Sequence, residues 1–503
     1  MRPAWRPWRI VAAALIPVAL LMSLVSWAFA SPVGAAPDDD YHLASIWCAQ
    51  GDRPGLCEPG AEADERSVPR GTVLASLCYA HHSEIPGDCP VAKSDELVTT
   101  DRGDFNDHGY PPIYYAVMSV FASTHEATAV LTIRIFNAFL YVAMLSALFL
   151  LLPARRRGLL VWSALATLIP LGFFLIASTN PSGWAITSAT TLWLALLGYY
   201  EARGLGARIG LGVLATVSVL MGAGARADAA AYGVLAMILV VLLKAERTRV
   251  FWLRTILPVA LSLVSALLYF SASQGGIVTR ATTALSPYDF VWLLWKDLLD
   301  LPWLYAGAFG YAPLGWLDTF MPLTVWGTIS LVVCGLMFWG IGRMTRRKLW
   351  AVGIAAFALV FVPIYILMHD RIWVGAGVQP RYLYPLIVLL VGLCLYGLDR
   401  FDLGLGRTQL VVTGSLLIAG FTIALYVNIH RYTTGTDVKT LNLNTNVAWW
   451  WDIPLHPMQW WGLGALAFAV AVAAAVVLGL STAHRNALRG VRYRALETTV
   501  AGE

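Results

Sequence analysis

The segment Ile10–Ala30, IVAAALIPVALLMSLVSWAFA, carries no ionisable side chain over 21 residues. At ~1.5 Å of rise per residue, a helix of that length crosses a ~30 Å hydrocarbon core. Apolar runs of this kind recur along the chain. Of the 503 residues, 58% are hydrophobic and only 13% are charged, against roughly a quarter charged in a soluble domain. The mean hydropathy is +0.65. The sequence therefore specifies an all-α polytopic membrane protein.

Twelve spans are expected, at about 10–30, 126–152, 158–178, 183–200, 208–223, 229–244, 251–272, 322–342, 349–368, 382–398, 409–429 and 460–481. Alternating them from a cytoplasmic N-terminus tests the reading, because Lys and Arg collect on the cytoplasmic side. Of 35 such residues, 22 then fall inside, in clusters such as Arg155-Arg156-Arg157 and Arg346-Arg347-Lys348. Both termini are cytoplasmic in this topology, and the expected location is a bacterial plasma membrane. The net charge of +5 is a product of topology and points to no nucleic-acid partner. Ala28-Phe29-Ala30 before Ser31 has the form of a signal-peptidase site, but the length of the run before it favours a retained anchor.

The resulting plan has an anchor at 1–30, an outer loop at 31–125 and spans two to seven within 126–272. An outer interfacial segment at 273–321, spans eight to twelve within 322–481 and a basic tail at 482–503 complete it. The outer loop holds Cys48, Cys57, Cys78 and Cys89. Four cysteines in one exported loop predict two disulfides, with three pairings open. Their spacings are too wide for a paired zinc knuckle. The run from Tyr110 to Ala122 is too short to span, and it predicts a helix on the outer leaflet. The stretch SPYDFVWLLWKDLLDLPWLY, at 286–305, predicts a second interfacial helix. Trp449, Trp450, Trp451, Trp460 and Trp461 form either an aromatic belt or a sugar-stacking surface.

Costly polar residues gather on the outer side. The segment APDDDYH, Ala36–His42, sets three carboxylates where one would cap a helix. Crowded like charges raise a pKa or recruit a cation or a basic partner. A carboxylate there can serve as a general base or, with Mg or Mn, as a ligand to a divalent cation. Arg226 and Asp228 interrupt an apolar pattern and suit an ion pair closing a loop. Arg381 enters an apolar span between tyrosines, and its fork matches phosphate oxygens. Arg134, within a span, is either the partner of an outer carboxylate or a structural buried charge.

Four motifs then carry a resemblance. PDDDYH at 37–42 resembles the Pro-Asp-Glu-x-x-His of the Domain of Unknown Function 2142 family, with Asp39 in place of Glu. YPPIYY at 110–115 is similar to its Pro-Pro-x-Tyr-Tyr, and GWLDT at 315–319 to its Gly-Trp-Leu-Asp-Thr block. QPRY at 379–382 is similar to its Gln-Gly-Arg-Tyr, with Pro380 for Gly. The family's layout resembles the GT-C membrane glycosyltransferases, which use polyprenyl-phosphate sugars. The resemblance implies a GT-C-like fold in which Asp38 is the catalytic carboxylate and Asp39 assists or, with Asp38, holds a divalent cation. Arg381 would contact the donor phosphate, with His42, Tyr382, Asp318, Arg226 and Tyr114 around the substrate. The implied partners are membrane lipids, a polyprenyl-phosphate-linked sugar and a glycan or lipid-linked cell-envelope acceptor. Two rivals share the hydrophobicity, a lipid-linked-glycan flippase and a non-catalytic envelope-assembly protein.

Overall fold

The computed structural model describes residues 7–90, 96–106, 108–273 and 289–500. Among them, nine helices are long and apolar enough to cross a membrane. These are α1 (Pro7–Phe29), α5 (Glu126–Leu151), α9 (Leu205–Ala223), α10 (Ala227–Lys244), α11 (Arg249–Phe270), α13 (Leu323–Ile341), α14 (Arg346–Asp370), α16 (Arg407–Thr433) and α17 (Pro457–Val500). Each coincides with an expected span, and their large apolar side chains face outward. Phe270, Phe338 and Leu267 are 83%, 78% and 72% exposed, which suits a lipid solvent.

The other three expected spans take a different form. The segment 158–178 divides into α6 (Arg157–Thr167) and α7 (Leu171–Ile176). Pro170 lacks an N–H and steers the residue before it away from helical geometry. The segment 183–200 is α8 (Ser182–Glu201), whose Thr187, Ser188, Thr190 and Thr191 lower its hydropathy. The segment 382–398 becomes α15 (Pro380–Leu395), 16 residues long, which reaches only about 24 Å at 1.5 Å per residue. Nearly every residue of these helices is buried. They form an inner group that the long helices surround, with α8 packed on α5, α9, α10 and α15. Because protein encloses them, they need not match the bilayer in length or apolarity.

A cap built from the loop between α1 and α5 covers one end of the bundle. It contains α2 (Asp39–Cys48), α3 (Arg70–Leu74), α4 (Ile113–Met118) and strands β1 (Glu58–Pro59), β2 (Arg66–Pro69) and β3 (Leu97–Thr100). The strands form an antiparallel sheet in the order β1-β2-β3, with Val68 opposite Val98. This small sheet departs from a purely helical expectation. The leaflet helix expected at 110–122 is instead the short α4 followed by a 3₁₀ turn. Tyr114, Tyr115 and Met118 of α4 pack into the cap's own core with Leu43, Ile46 and Trp47.

Two disulfides close the cap, Cys48–Cys57 and Cys78–Cys89, so the pairing is between sequence neighbours. Cys334 and Cys394 are free thiols. Maleimide labelling of the denatured, unreduced chain is expected to modify only those two. Prior reduction should expose all six cysteines and lower cap stability by about 2–4 kcal/mol per bridge. Four or more labelled thiols without reductant would contradict the pairing.

Arg134 explains how α1 ends against the cap. Its Nη1 donates to the carbonyls of Ala28 and Ser31, and its Nη2 to that of Pro32. The Ala28 carbonyl belongs to the last turn of α1, where acceptors lack a partner in their own helix, and those of Ser31 and Pro32 follow just beyond it. The arginine is 1% exposed, its hydrogen bonds go to backbone carbonyls, and its charge also acts on the buried Asp39 carboxyl.

The interfacial helix α12 (Phe290–Ala308) presents Val291, Trp295 and Trp303 outward at 73%, 60% and 54% exposure, while Asp297 points inward at 0%. An apolar face turned outward fits a helix bedded in the membrane interface. Residues 274–288, the start of that expected segment, lie outside the described residues.

Candidate functional site

The three aspartates that open α2 point in three directions. Asp38 has φ 59 and ψ 25, and its side chain makes no capping hydrogen bond. A non-glycine residue in the left-handed region holds its backbone under strain, of the kind that concentrates at functional sites. The Asp38 carboxylate instead accepts a 2.6 Å hydrogen bond from Nη2 of Arg381. Asp39 is 0% exposed. Its Oδ2 accepts from the Ala36 N–H, and its Oδ1 accepts from Thr179 Oγ1 at 2.6 Å. Asp40 takes both Nε and Nη2 of Arg102.

Three residues from two inner elements fix the backbone beneath Asp38. Asn180, in the turn between α7 and α8, donates to the Pro37 carbonyl at 2.8 Å. Thr179 holds Asp39. Arg381, at the start of α15, donates both to Pro37 O and to Asp38. Thr179 escaped the sequence reading, although its signal was present as a polar Ser178-Thr179-Asn180 break in an apolar segment.

Around Asp38 and Arg381 stands an aromatic and cationic shell. The Tyr382 ring lies 5.1 Å from the Arg381 guanidinium and 5.0 Å from that of Arg226, within cation–π range. Arg226 also stacks on Tyr110 and is held by both oxygens of Asp228. His42 Nδ1 lies 2.8 Å from the Tyr115 hydroxyl, while its buried Nε2 has no hydrogen-bond partner among the described residues. Tyr110 and Tyr115 thus join a site whose other members the sequence had singled out.

Two sequence candidates take supporting positions. Tyr114 is fully buried and donates to the Thr179 carbonyl, so it carries the segment that holds Asp39. Asp318 is 4% exposed and pairs with Arg431 at 2.7 Å. Arg431 also donates to the carbonyls of Tyr79, His82 and Ile85, tying the cap to α16. No direct contact joins the Asp318 carboxylate to the Asp38–Arg381 pair. Its neighbours Gly315 and Leu317 nevertheless line a crevice with Pro37, Phe174, Pro380 and Arg381. Gly315 has φ 63, and a Cβ there would collide with the Tyr432 hydroxyl. The crevice is apolar apart from Gln379 and the Arg381 end.

The electrostatics separate the acids. Burial raises the Asp38 carboxyl, but the charge and hydrogen bond of Arg381 outweigh it and hold the group below its ordinary value. Asp38 is therefore ionised, with 42% of its side chain exposed. Burial pushes Asp39 up to about 6, against the opposing pull of Arg134, Thr179 and Ala36. Burial also drops His42 to about 3, so it is neutral at pH 7.

The carboxylates do not fit a divalent cation. Asp38, Asp39 and Asp40 are committed to three separate partners, and no group of three His, Cys, Asp or Glu side chains among the described residues can hold a metal.

Asp39 and His42 have opposed effects of pH on stability. Asp39 titrates near 6 when folded and near 3.8 otherwise, so its contribution is complete below about 3.8 and is lost as pH rises to 6. His42 titrates near 3 when folded and 6.5 otherwise, so its contribution is complete above 6.5 and is lost as pH falls toward 3. Between about pH 4 and 6 the two oppose, each with a slope of ~1.4 kcal/mol per pH unit. Asp39→Asn is expected to leave a cap that weakens on acidification, and His42→Gln one that strengthens. Hydrogen exchange of the α2 amides between about pH 4.5 and 6 reads both slopes. Identical profiles in the two variants would refute the assignment.

The family described as "Predicted membrane protein (DUF2142)" matches residues 21–390. The chain belongs to that family. No curated protein matches it. The DUF2142 match runs from within α1 into α15 and takes in Asp38, Arg226, Asp318 and Arg381. It stops before α16, so Arg431, the partner of Asp318, lies beyond the matched region.

Proposed function

We propose that this DUF2142 protein is a GT-C-type membrane glycosyltransferase. In this reading it has twelve passes with both termini in the cytoplasm, and it moves a sugar from a polyprenyl-phosphate donor to an extracytoplasmic cell-envelope acceptor. The observation that carries the reading is the Asp38–Arg381 pair, 2.6 Å long, at the end of an apolar crevice. A buried guanidinium recognises a phosphate, and a carboxylate beside it, its side chain 42% exposed, suits a base. The sugar itself comes from the resemblance to GT-C enzymes.

The mechanism turns on an exchange of partners. The donor phosphate displaces Asp38 from Arg381, with Arg226 adding positive charge across Tyr382. Freed from that charge, Asp38 keeps the effect of burial against the weaker pull of Arg102, and its basicity rises. The acceptor oxygen then attacks the anomeric carbon as Asp38 takes its proton. The new glycosidic C–O bond forms while the C–O bond to the phosphate breaks, and polyprenyl phosphate departs with the electron pair. In this reading the unpartnered His42 Nε2 hydrogen-bonds a substrate hydroxyl. Asp39 holds the loop, and no step requires a metal.

The test uses purified protein in proteoliposomes with a radiolabelled polyprenyl-phosphate sugar and cell-envelope glycan. Expected is acceptor-dependent release of polyprenyl phosphate. Movement of the intact lipid-linked sugar between leaflets without bond cleavage would instead favour a flippase.

A further inference from the structure

Helices α13 and α15 both begin near the crevice and run away from it to the far end of the bundle. There they shape a pocket of about 390 Å³, within the roughly 300–1,000 Å³ of small-molecule sites. One wall is the last turn of α13, with Phe338, Trp339 and Ile341, and the other is the link between α15 and α16, with Leu398. The Trp339 indole N–H donates to the Leu403 carbonyl at 3.1 Å and pins the walls together. Arg343 and Arg400 bring one guanidinium from each wall.

This positive charge is uncompensated among the described residues. No carboxylate lines the pocket. The two aspartates that flank Arg400 in sequence are engaged elsewhere, Asp399 with Arg156 and Asp402 with the Gly404 N–H. Behind the end of α13 sits Lys348, 1% exposed, whose Nζ donates to the Gly340 carbonyl at 2.8 Å and meets no carboxylate. A buried ammonium without a counter-ion is costly. It also offsets the negative end of the α13 dipole, which would otherwise repel an anion.

The pocket thus joins two guanidinium forks, which match phosphate oxygens, to an apolar outer wall. Phe338, Trp339 and Ile341 are 78%, 40% and 40% exposed on a helix long and apolar enough to cross a membrane. A phosphate that reaches both arginines from that side carries a hydrocarbon chain with it, and basic pockets between membrane helices suit anionic headgroups.

We propose that this pocket binds one anionic glycerophospholipid at the end of the bundle opposite the cap, with its phosphate between Arg343 and Arg400 and its acyl chains against α13. The site is separate from the Asp38 chemistry and stands whether or not the protein transfers sugar.

Native mass spectrometry of the delipidated full-length protein, with phosphatidylglycerol or phosphatidylcholine added and inorganic phosphate as competitor, provides the test. Expected is one retained phosphatidylglycerol, favoured over phosphatidylcholine by about 30-fold, the effect of two basic residues near an anionic headgroup. Arg343→Gln and Arg400→Gln should each cut that preference to about fivefold, and the double variant should abolish it. Both side chains are exposed, so their loss leaves the fold intact. Arg247→Gln removes an exposed charge at the same end but outside the pocket and should change nothing. Millimolar inorganic phosphate should leave the lipid in place. Equal retention of phosphatidylcholine, a preference that survives the double variant, an equal loss in Arg247→Gln, or displacement by inorganic phosphate would each overturn the proposal.

Discussion

Replacing Asp38 by asparagine is expected to reduce sugar transfer by about 100- to 10,000-fold, the range for loss of a general base. The amide keeps the size of the side chain but neither its charge nor its basicity. The same change should tighten binding of polyprenyl phosphate several-fold, because Arg381 would no longer have to leave a carboxylate to meet the ligand. The two readouts move in opposite directions, which a general loss of folding cannot produce. Asp39→Asn is the control. Asp39 is sealed against Thr179 and Ala36, so transfer at pH 7 should stay within a few-fold while the pH dependence of cap stability changes. Full activity of Asp38→Asn alongside measured turnover in the wild type would remove Asp38 from the chemistry.

Arg431→Met is expected to be the most destabilising single change at the cap end of the bundle. It strands Asp318, 4% exposed, without its charge partner, and breaking a buried pair from one side costs about 3–5 kcal/mol. The carbonyls of Tyr79, His82 and Ile85 lose a donor as well. Thermal unfolding in detergent should show a large drop for Arg431→Met. The double variant with Asp318→Asn should recover part of it, because the stranded charge is then gone. A double variant no more stable than the single would show that the carbonyl contacts, and not the ion pair, hold the cap.

The parts of the molecule legible in its sequence are those with a local or periodic signature. The nine long apolar helices follow from run length alone, and the two disulfides from four cysteines in one loop. The site was legible to the extent that its members are costly where they stand. Asp38 and Arg381, 343 residues apart, were both singled out, Asp38 within a crowded acidic run and through the resemblance, Arg381 as a charge entering an apolar span. The residues alone did not separate Asp38 from Asp39, which only the family resemblance ranked, and the structure gives them different surroundings, a side chain 42% exposed against one fully buried. The enclosed helices α8 and α15 were read as ordinary spans because a window of sequence does not reveal whether lipid or protein surrounds it. The Asp318–Arg431 pair joins residues 113 apart, a distance at which no local pattern exists.

The grip of Arg431 on the cap also has a consequence for the order of synthesis. The carbonyls it holds, from Tyr79 to Ile85, leave the ribosome some 350 residues before Arg431 does. The cap segment therefore waits, unfastened, while more than a dozen helices follow it, and Arg381 reaches Asp38 almost as late. Maturation finishes at the cap, and a chain that stops short of α16 has every residue of the matched family region in hand and still cannot close its own lid.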